Sequence, residues 1–241
     1  VKACGEVGLH SETHDFAADA AEAAIISRIE ELNRDPKIHG ILVQLPLPPH
    51  LETRRLLGAI SIEKDVDGFH LYNVGGLVVG ENNIFPPCTP YGVQCLLEYE
   101  KIPIEGQNVV VVGASNIVGK PMALMLMAKD ATVSICHIKT RDLAQFTILA
   151  DILIVAAGCP GLITAPMVKR GAVVIDVGIN RLPNGTLAGD VDFAGVVNKA
   201  SYITPVPGGV GPMTVTMLIC NTVAAAERTA ARNAEKQPVP A

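Results

Sequence analysis

Four short apolar runs at regular spacing, Asn108–Val112, Thr132–Cys136, Ile152–Ala156 and Ala172–Val177, constrain this chain more than any other feature. Each is strand-length and continuously apolar rather than alternating, as strands buried on both faces are. Helical or loop segments separate them, including Val118–Lys129. Such alternation folds as parallel βαβ units with right-handed crossovers. A further extended piece, Ser201–Thr204, precedes the helix Met213–Arg232.

Upstream, Pro86-Pro87-Cys88-Thr89-Pro90 marks a boundary, and a helix over Tyr91–Glu100 follows it. Ahead of that boundary the pattern is half of another α/β unit. Ala17–Asn33 is a helix with Ile25, Ile26, Ile29 and Leu32 on one stripe. The run Ile38–Leu45 predicts a strand buried on both faces and stopped by Pro46, and Glu52–Ile60 predicts a helix. The expectation is an α/β fold of two domains. Residues 91–212 form a Rossmann-type dinucleotide-binding domain, and residues 1–90 with 213–235 form a second α/β domain closed by the C-terminal helix. The polar, Pro-containing tail Asn233–Ala241 is expected to fray.

With 241 residues, 49% of them apolar and 18% charged, the chain can bury a sizeable core. A net charge of −5 with scattered Lys and Arg argues against nucleic acid as a partner. The apolar runs are far too short to span a membrane. The 6 cysteines show no CxxC or metal-ligand spacing, which points to reduced thiols in a reducing compartment, and the 6 histidines form no HxxxH pattern. The opening Val1–Gly8 reads as the last turns of a helix stopped by glycine, so an element ahead of it is expected.

After Val109–Val112 comes Gly113-Ala114-Ser115-Asn116-Ile117-Val118-Gly119-Lys120-Pro121, a strand, a glycine turn and a helix start. That arrangement turns backbone amides and a positive helix end toward a pyrophosphate. It departs from G-x-G-x-x-G because Ser115 takes the middle glycine, and a merely structural turn is the alternative. The next strand ends at Cys136-His137-Ile138-Lys139-Thr140. No carboxylate waits there for a ribose 2′-hydroxyl and a cation is close, which favours NADP over NAD unless Lys139 is an ordinary surface lysine.

Four strings go beyond a generic dinucleotide-binding domain: Leu42-Val43-Gln44-Leu45-Pro46-Leu47-Pro48, Lys64-Asp65-Val66-Asp67-Gly68-Phe69-His70, Gly113–Pro121, and Ile203-Thr204-Pro205-Val206-Pro207-Gly208-Gly209-Val210-Gly211-Pro212-Met213-Thr214. Together they closely resemble the bifunctional methylenetetrahydrofolate dehydrogenase/cyclohydrolase family, along almost the whole chain. The resemblance implies NADP-dependent oxidation of 5,10-methylenetetrahydrofolate and hydrolysis of the methenyl product to 10-formyltetrahydrofolate, in a cytoplasmic homodimer of one-carbon metabolism. It also implies residue roles. Gln44 orients a catalytic lysine, with Val43 and Leu45 flanking the folate. Asp67 holds the polar edge of the pterin, and Asp65 is the more structural member of that pair. Pro207, Gly208, Gly209, Val210 and Gly211 line the p-aminobenzoate side with backbone. Gly113, Ala114 and Ser115 hold the cofactor phosphates, while Ile138 stands where relatives often place Arg or Ser for the 2′-phosphate. Ile179, in Val177-Gly178-Ile179-Asn180, touches the nicotinamide end.

Bland alternatives stand beside these: Gln44 as a strand-end cap, Asp67 as a turn former before Gly68, and the P-G-G-V-G string as a sharp loop. The family's Tyr-x-x-x-Lys motif, whose lysine is the acid/base of the hydrolytic step, would end one residue before Val1. Lys2 cannot stand in for that lysine, because two helical positions rotate a side chain by about 200°. The expectation is therefore about 45–55 further residues, one βα unit, ahead of Val1. Two readings compete with the bifunctional enzyme: a truncated form that binds folate or dinucleotide without turnover, and another two-domain NADP dehydrogenase of the shikimate type.

Overall fold

A computed structural model describes residues 1–235. The chain divides into two compact units, Val1–Gly76 with Glu81–Pro86 and the segment from Met217, and Leu77–Gly80 with Pro87–Thr216.

The first unit begins with the short helix α1 (Lys2–Glu6), followed by α2 (Glu22–Arg34), α3 (Thr53–Ala59) and α4 (Leu71–Val79), whose last turn falls in the second unit. In α2, Ile25 and Ile29 lie one turn apart and are buried with Ile41, Leu51, Leu56 and Ile60. Lys64 closes α2, its Nζ donating to the carbonyls of Leu32 and Asp35 at 2.9 and 2.7 Å. Burial there lowers the Lys64 ammonium from its ordinary value.

The strand expected over Ile38–Leu45 does not form. Ile41 makes a single parallel bridge to Asp65, and Leu42 and Gln44 are exposed. A ladder needs an extended neighbour, and among the described residues the segment at Lys64–Asp65 supplies only this one rung. Apolar content alone therefore overstated this segment.

The second unit starts with α5 (Cys88–Tyr99) and then alternates as β1 (Asn108–Val112), α6 (Gly119–Met127), β2 (Thr132–Cys136), α7 (Ala144–Thr147), β3 (Ile152–Val155) and β4 (Val173–Asp176). A small antiparallel pair, β5 (Asn180–Arg181) and β6 (Leu187–Ala188), precedes α8 (Phe193–Val196) and β7 (Tyr202–Ile203). The last helix, α9, runs Val210–Glu235 and continues through the first part of the tail expected to fray, and residues 236–241 lie outside the described residues.

The main sheet has 5 strands in the order β2-β1-β3-β4-β7, all parallel. Its side chains alternate between two cores. Val109, Val111, Ile152 and Ile154 pack with Leu97, Met122 and Leu126 of α5 and α6. Val110, Val112, Leu153 and Val155 pack on the opposite face with Ile163, Val168 and Val196. Each such side chain contributes about 1.5–3 kcal/mol by leaving water, and covering both faces is what a parallel sheet requires. The carboxyl ends of β1, β3 and β4 share one edge, where parallel sheets bind ligands.

Candidate active site

At that edge the turn after β1 has little freedom. Gly113 has φ +118, and a Cβ there would lie 2.1 Å from the Ala156 carbonyl oxygen; one on Gly119 would lie 1.9 Å from the Gly113 carbonyl oxygen. The two glycines let the turn close on the end of β3 and on itself. Ser115 Oγ accepts the amides of Val118 and Gly119 at 3.1 and 3.4 Å, which closes the turn ahead of α6 and leaves its own proton to donate outward. The amides of Ser115, Asn116 and Ile117 donate to no acceptor among the described residues. Unspent amides, a hydroxyl proton and a helix start suit a pyrophosphate.

At the tip of β2, Ile138 is 96% exposed, so its side chain has no structural duty and offers no charge. Lys139, Thr140, Arg141, Asp142, Gln145 and Phe146 line an open groove beside it. Arg141 is a second cation that the sequence reading passed over, although it stands two residues beyond Lys139. Cys136, at the base of this tip, is buried, and burial raises its thiol above the ordinary range.

The loop Pro205–Gly209 leads into α9, whose first residues are Val210 and Gly211. Gly208 has φ +103, and a Cβ on Gly209 would lie 2.5 Å from the Pro205 carbonyl oxygen, so the loop's own fold demands these glycines. Val210 is 4% exposed and its side chain belongs to the core, leaving its backbone alone to face a ligand. Pro207 is exposed. A Cβ on Gly211 would lie 3.7 Å from Cδ1 of Ile179, which is itself 60% exposed. This loop and the segment after β4, given separate roles by sequence, thus meet in one unit.

Two buried carboxylates, which sequence reading missed, organise the same edge. Asp190 accepts the amides of Ala157, Gly158 and Cys159 at 2.6, 2.8 and 2.8 Å and the Asn180 side-chain amide at 2.8 Å. Asp176 accepts the amides of Gly178, Asp190 and Val191 at 3.0, 3.0 and 2.9 Å. Burial raises the Asp176 carboxyl above the usual range against those donors, and the Asp190 charge adds to the rise. Carboxylates bound to backbone amides leave no spacing signature; the only hint is a pair of acidic residues beside Gly178 and Gly189.

In the first unit, Asp65 is fully buried and accepts the amides of Phe69 and His70 at 3.2 and 2.8 Å and the Asn73 side-chain amide at 2.7 Å. It holds the turn that starts α4. His70 Nδ1 accepts the Tyr72 amide at 3.1 Å and belongs to that turn. Asp67 is half-buried just before Gly68. Gln44 is exposed, its Nε2 donating to the Leu45 carbonyl at 3.0 Å, while Val43 packs against the core of α2 and α3 and Leu45 is half-buried.

Comparison with known proteins agrees with this geometry. Residues 87–230 match the model of the tetrahydrofolate dehydrogenase/cyclohydrolase NAD(P)-binding domain, and residues 1–67 match that of the catalytic domain. A bifunctional protein FolD from Nitrosospira multiformis is 66% identical over 96% of this chain and 80% of its own length. The bifunctional methylenetetrahydrofolate dehydrogenase/cyclohydrolase FolD from Campylobacter jejuni superposes with a TM-score of 0.93 at 53% identity, covering 94% of this chain and 80% of that one. The Trypanosoma brucei enzyme, solved with NADP and an inhibitor, superposes with a TM-score of 0.91 at 40% identity, covering 95% and 80%. With both domains matched and relatives at these identities, the chain belongs to the tetrahydrofolate dehydrogenase/cyclohydrolase family.

Proposed function

We infer that this protein oxidises 5,10-methylenetetrahydrofolate to the 5,10-methenyl form with NADP, and hydrolyses that product to 10-formyltetrahydrofolate. The observation that carries the reading is the approach of Gly211 to Ile179, which follows β4 at the sheet edge where the Gly113 turn follows β1. A folate-lining loop and a nicotinamide-end residue belong on one sheet edge if a hydride is to pass between their ligands. Family membership and the NADP complex of the Trypanosoma brucei relative support the choice of substrate and cofactor.

When bound, NADP supplies the hydride acceptor for the methylene carbon of the folate. The protein's share is to hold and orient. The amides of Ser115, Asn116 and Ile117 and the Ser115 hydroxyl would hold phosphates, with Gly113 and Ala114 letting the backbone come close, and Lys139 and Arg141 would face the 2′-phosphate near Ile138. Pro207, Gly208, Gly209, Val210 and Gly211 would line the folate with backbone. In the first unit, Val43 and Leu45 would flank the ring, and the Asp67 carboxylate would fix the pterin's adjacent N–H donors. In hydrolysis, water adds to the cationic methenyl carbon and loses one proton, and the remaining hydroxyl proton passes to N5 as the carbon–N5 bond breaks and the formyl C=O forms on N10. Gln44 cannot titrate; its role there is to orient the proton-carrying lysine that the resemblance implies, through the Oε1 left over once Nε2 is bonded to Leu45.

The first unit is on this reading the folate-binding catalytic domain and the second the NADP-binding domain. On the same reading the protein acts as a cytoplasmic homodimer; among the described residues no helix is long and apolar enough to cross a membrane. The test is absorbance at the methenyl product's band, with methylenetetrahydrofolate and NADP or NAD in parallel. Product formation with NADP and much less with NAD is expected. Equal or greater turnover with NAD would overturn the cofactor assignment, and no turnover with either would overturn the activity.

A further inference from the structure

We propose that Asp190 is a positioning residue for hydride transfer, because its carboxylate ties the loop after β3 to the loop after β4 and so fixes where the nicotinamide end of the cofactor lies. The proposal rests on the reading of the second unit as NADP-binding.

Asp190 is fully buried, and its 4 donors come from two places: Ala157, Gly158 and Cys159 after β3, 31 to 33 residues away, and the Asn180 side chain at the start of β5, 10 residues away. A simple turn is held by a carboxylate accepting one or two amides from its own loop, as Asp192 accepts Gly195 to start α8. Asp190 instead reaches 31 to 33 residues back along the chain. Burying a charge costs several kcal/mol unless its hydrogen bonds are satisfied, so such a group marks a place where geometry is held at expense.

Two of these contacts lead to residues at the cofactor edge. Ala157 follows Ala156, whose carbonyl oxygen is the wall against which the Gly113 turn closes. Asn180 follows Ile179, and Asn180 Nδ2 also donates to the Ala188 carbonyl at 3.2 Å, so the amide cannot rotate freely. Gly178 approaches Asp190 so closely that a Cβ there would lie 2.3 Å from the carboxyl carbon. Asp176, at the end of β4, in turn holds the backbone of Asp190 and Val191. Rigid strand ends thus fix Asp176, Asp176 fixes Asp190, and Asp190 fixes the two loops. A reacting pair displaced by about 1 Å loses about 10²-fold in rate.

The test measures the Kd of NADP+ by calorimetry, kcat and the KM for NADP+ of the dehydrogenase reaction, the Kd of 5,10-methenyltetrahydrofolate, and thermal melting. Asp190→Asn turns one acceptor oxygen into a donor facing amide N–H groups. The expected result is a fall of about 10²-fold in kcat/KM for NADP+, with the folate Kd little changed. Asn180→Ala leaves the carboxylate on the loop amides and the β5–β6 backbone pairing in place, and removes the side-chain bonds to Asp190 and to the Ala188 carbonyl; it should lower kcat/KM about tenfold with melting near the unsubstituted protein. If Asp190→Asn does not fold, Asn180→Ala decides: a raised KM or lowered kcat supports the proposal and unchanged kinetics overturn it. Variants that melt earlier yet keep the unsubstituted kinetics overturn it as well, since that is a purely structural role. If the unsubstituted protein fails to bind NADP+, the reading of the second unit fails and takes the proposal with it; normal binding with indifferent variants sinks the proposal alone.

Discussion

Asp65 and Asp67 stand two residues apart and are spent differently. All of the Asp65 bonds go to the turn that launches α4. Asp65→Asn should therefore cost about 1–3 kcal/mol of stability, read from the denaturant midpoint, with no selective loss of folate affinity. Asp67→Asn should instead weaken folate binding about 10–100-fold, the worth of a charge-assisted bond, and damage both activities. Equal folate defects in the two variants would remove Asp67 from the pterin. Thr147 tests another kind of residue: its Oγ1 is buried and has no hydrogen-bond partner among the described residues. Thr147→Val keeps the shape and removes the orphaned hydroxyl, so stability should rise by about 1 kcal/mol. A fall of that size would mean that the hydroxyl has an ordered water as partner.

Among the elements, those legible in the sequence are the ones whose physics is local. Val109–Val112 and Ile152–Val155 read as strands because both faces are buried, and the structure pairs them directly in register. Ile38–Leu45 carries the same signal but lacks a neighbour, which no local pattern reveals. Helix α4 escaped notice because Gly75 and Gly76 and two consecutive valines weaken its helical pattern. Of the site, the glycine turn and the two proline-rich loops could be read from residue types. Asp176 and Asp190 could not, since their partners are backbone amides brought together by the fold. An ion pair shows the same dependence on topology: Lys169 meets Asp151, next to the start of β3. The hydrogen bond from Lys169, with the Asn108 amide, lowers the Asp151 carboxyl below its ordinary value. A depressed carboxyl contributes stability above its unfolded value, about 3.9, and loses it as pH falls through the folded value. Both side chains are partly exposed, so the pair is worth less than about 1 kcal/mol. Lys169→Met should lower stability at pH 7 by that amount, and the difference from the unsubstituted protein should shrink as pH falls through the folded value of Asp151; a constant gap down to acid pH would discount the pair.

On the scale of the molecule, the two units differ in how the chain supplies them. The second is nearly continuous, from Pro87 to Thr216 with the insert Leu77–Gly80. The first needs the chain again from Met217, because Ala225 packs with Val66 and Phe85, Asn221 donates to the Val66 and Pro86 carbonyls, and Arg228 lies 4.4 Å over the Phe85 ring. Ligand linkage should distinguish them. NADP+ at 100 times its Kd stabilises the fold that binds it by about 2.7 kcal/mol, so hydrogen exchange of the amides of β1, β3 and β4 should slow by the corresponding factor. Protection that rises in α2 and α3 and not in that sheet would put the cofactor in the wrong unit.

The discontinuity has a consequence for how the protein is born. As the chain leaves the ribosome, the sheet grows outward from β1: β2 adds on one side, then β3, β4 and β7 in turn on the other, each finding its neighbour already made. The segment Val66–Pro86 emerges early but waits 135 to 155 residues for Asn221, and at roughly 5–20 residues per second that is about 7–31 s of exposure. Until α9 is synthesised, the older half of the molecule is the client a chaperone would hold, while the younger half is already folding.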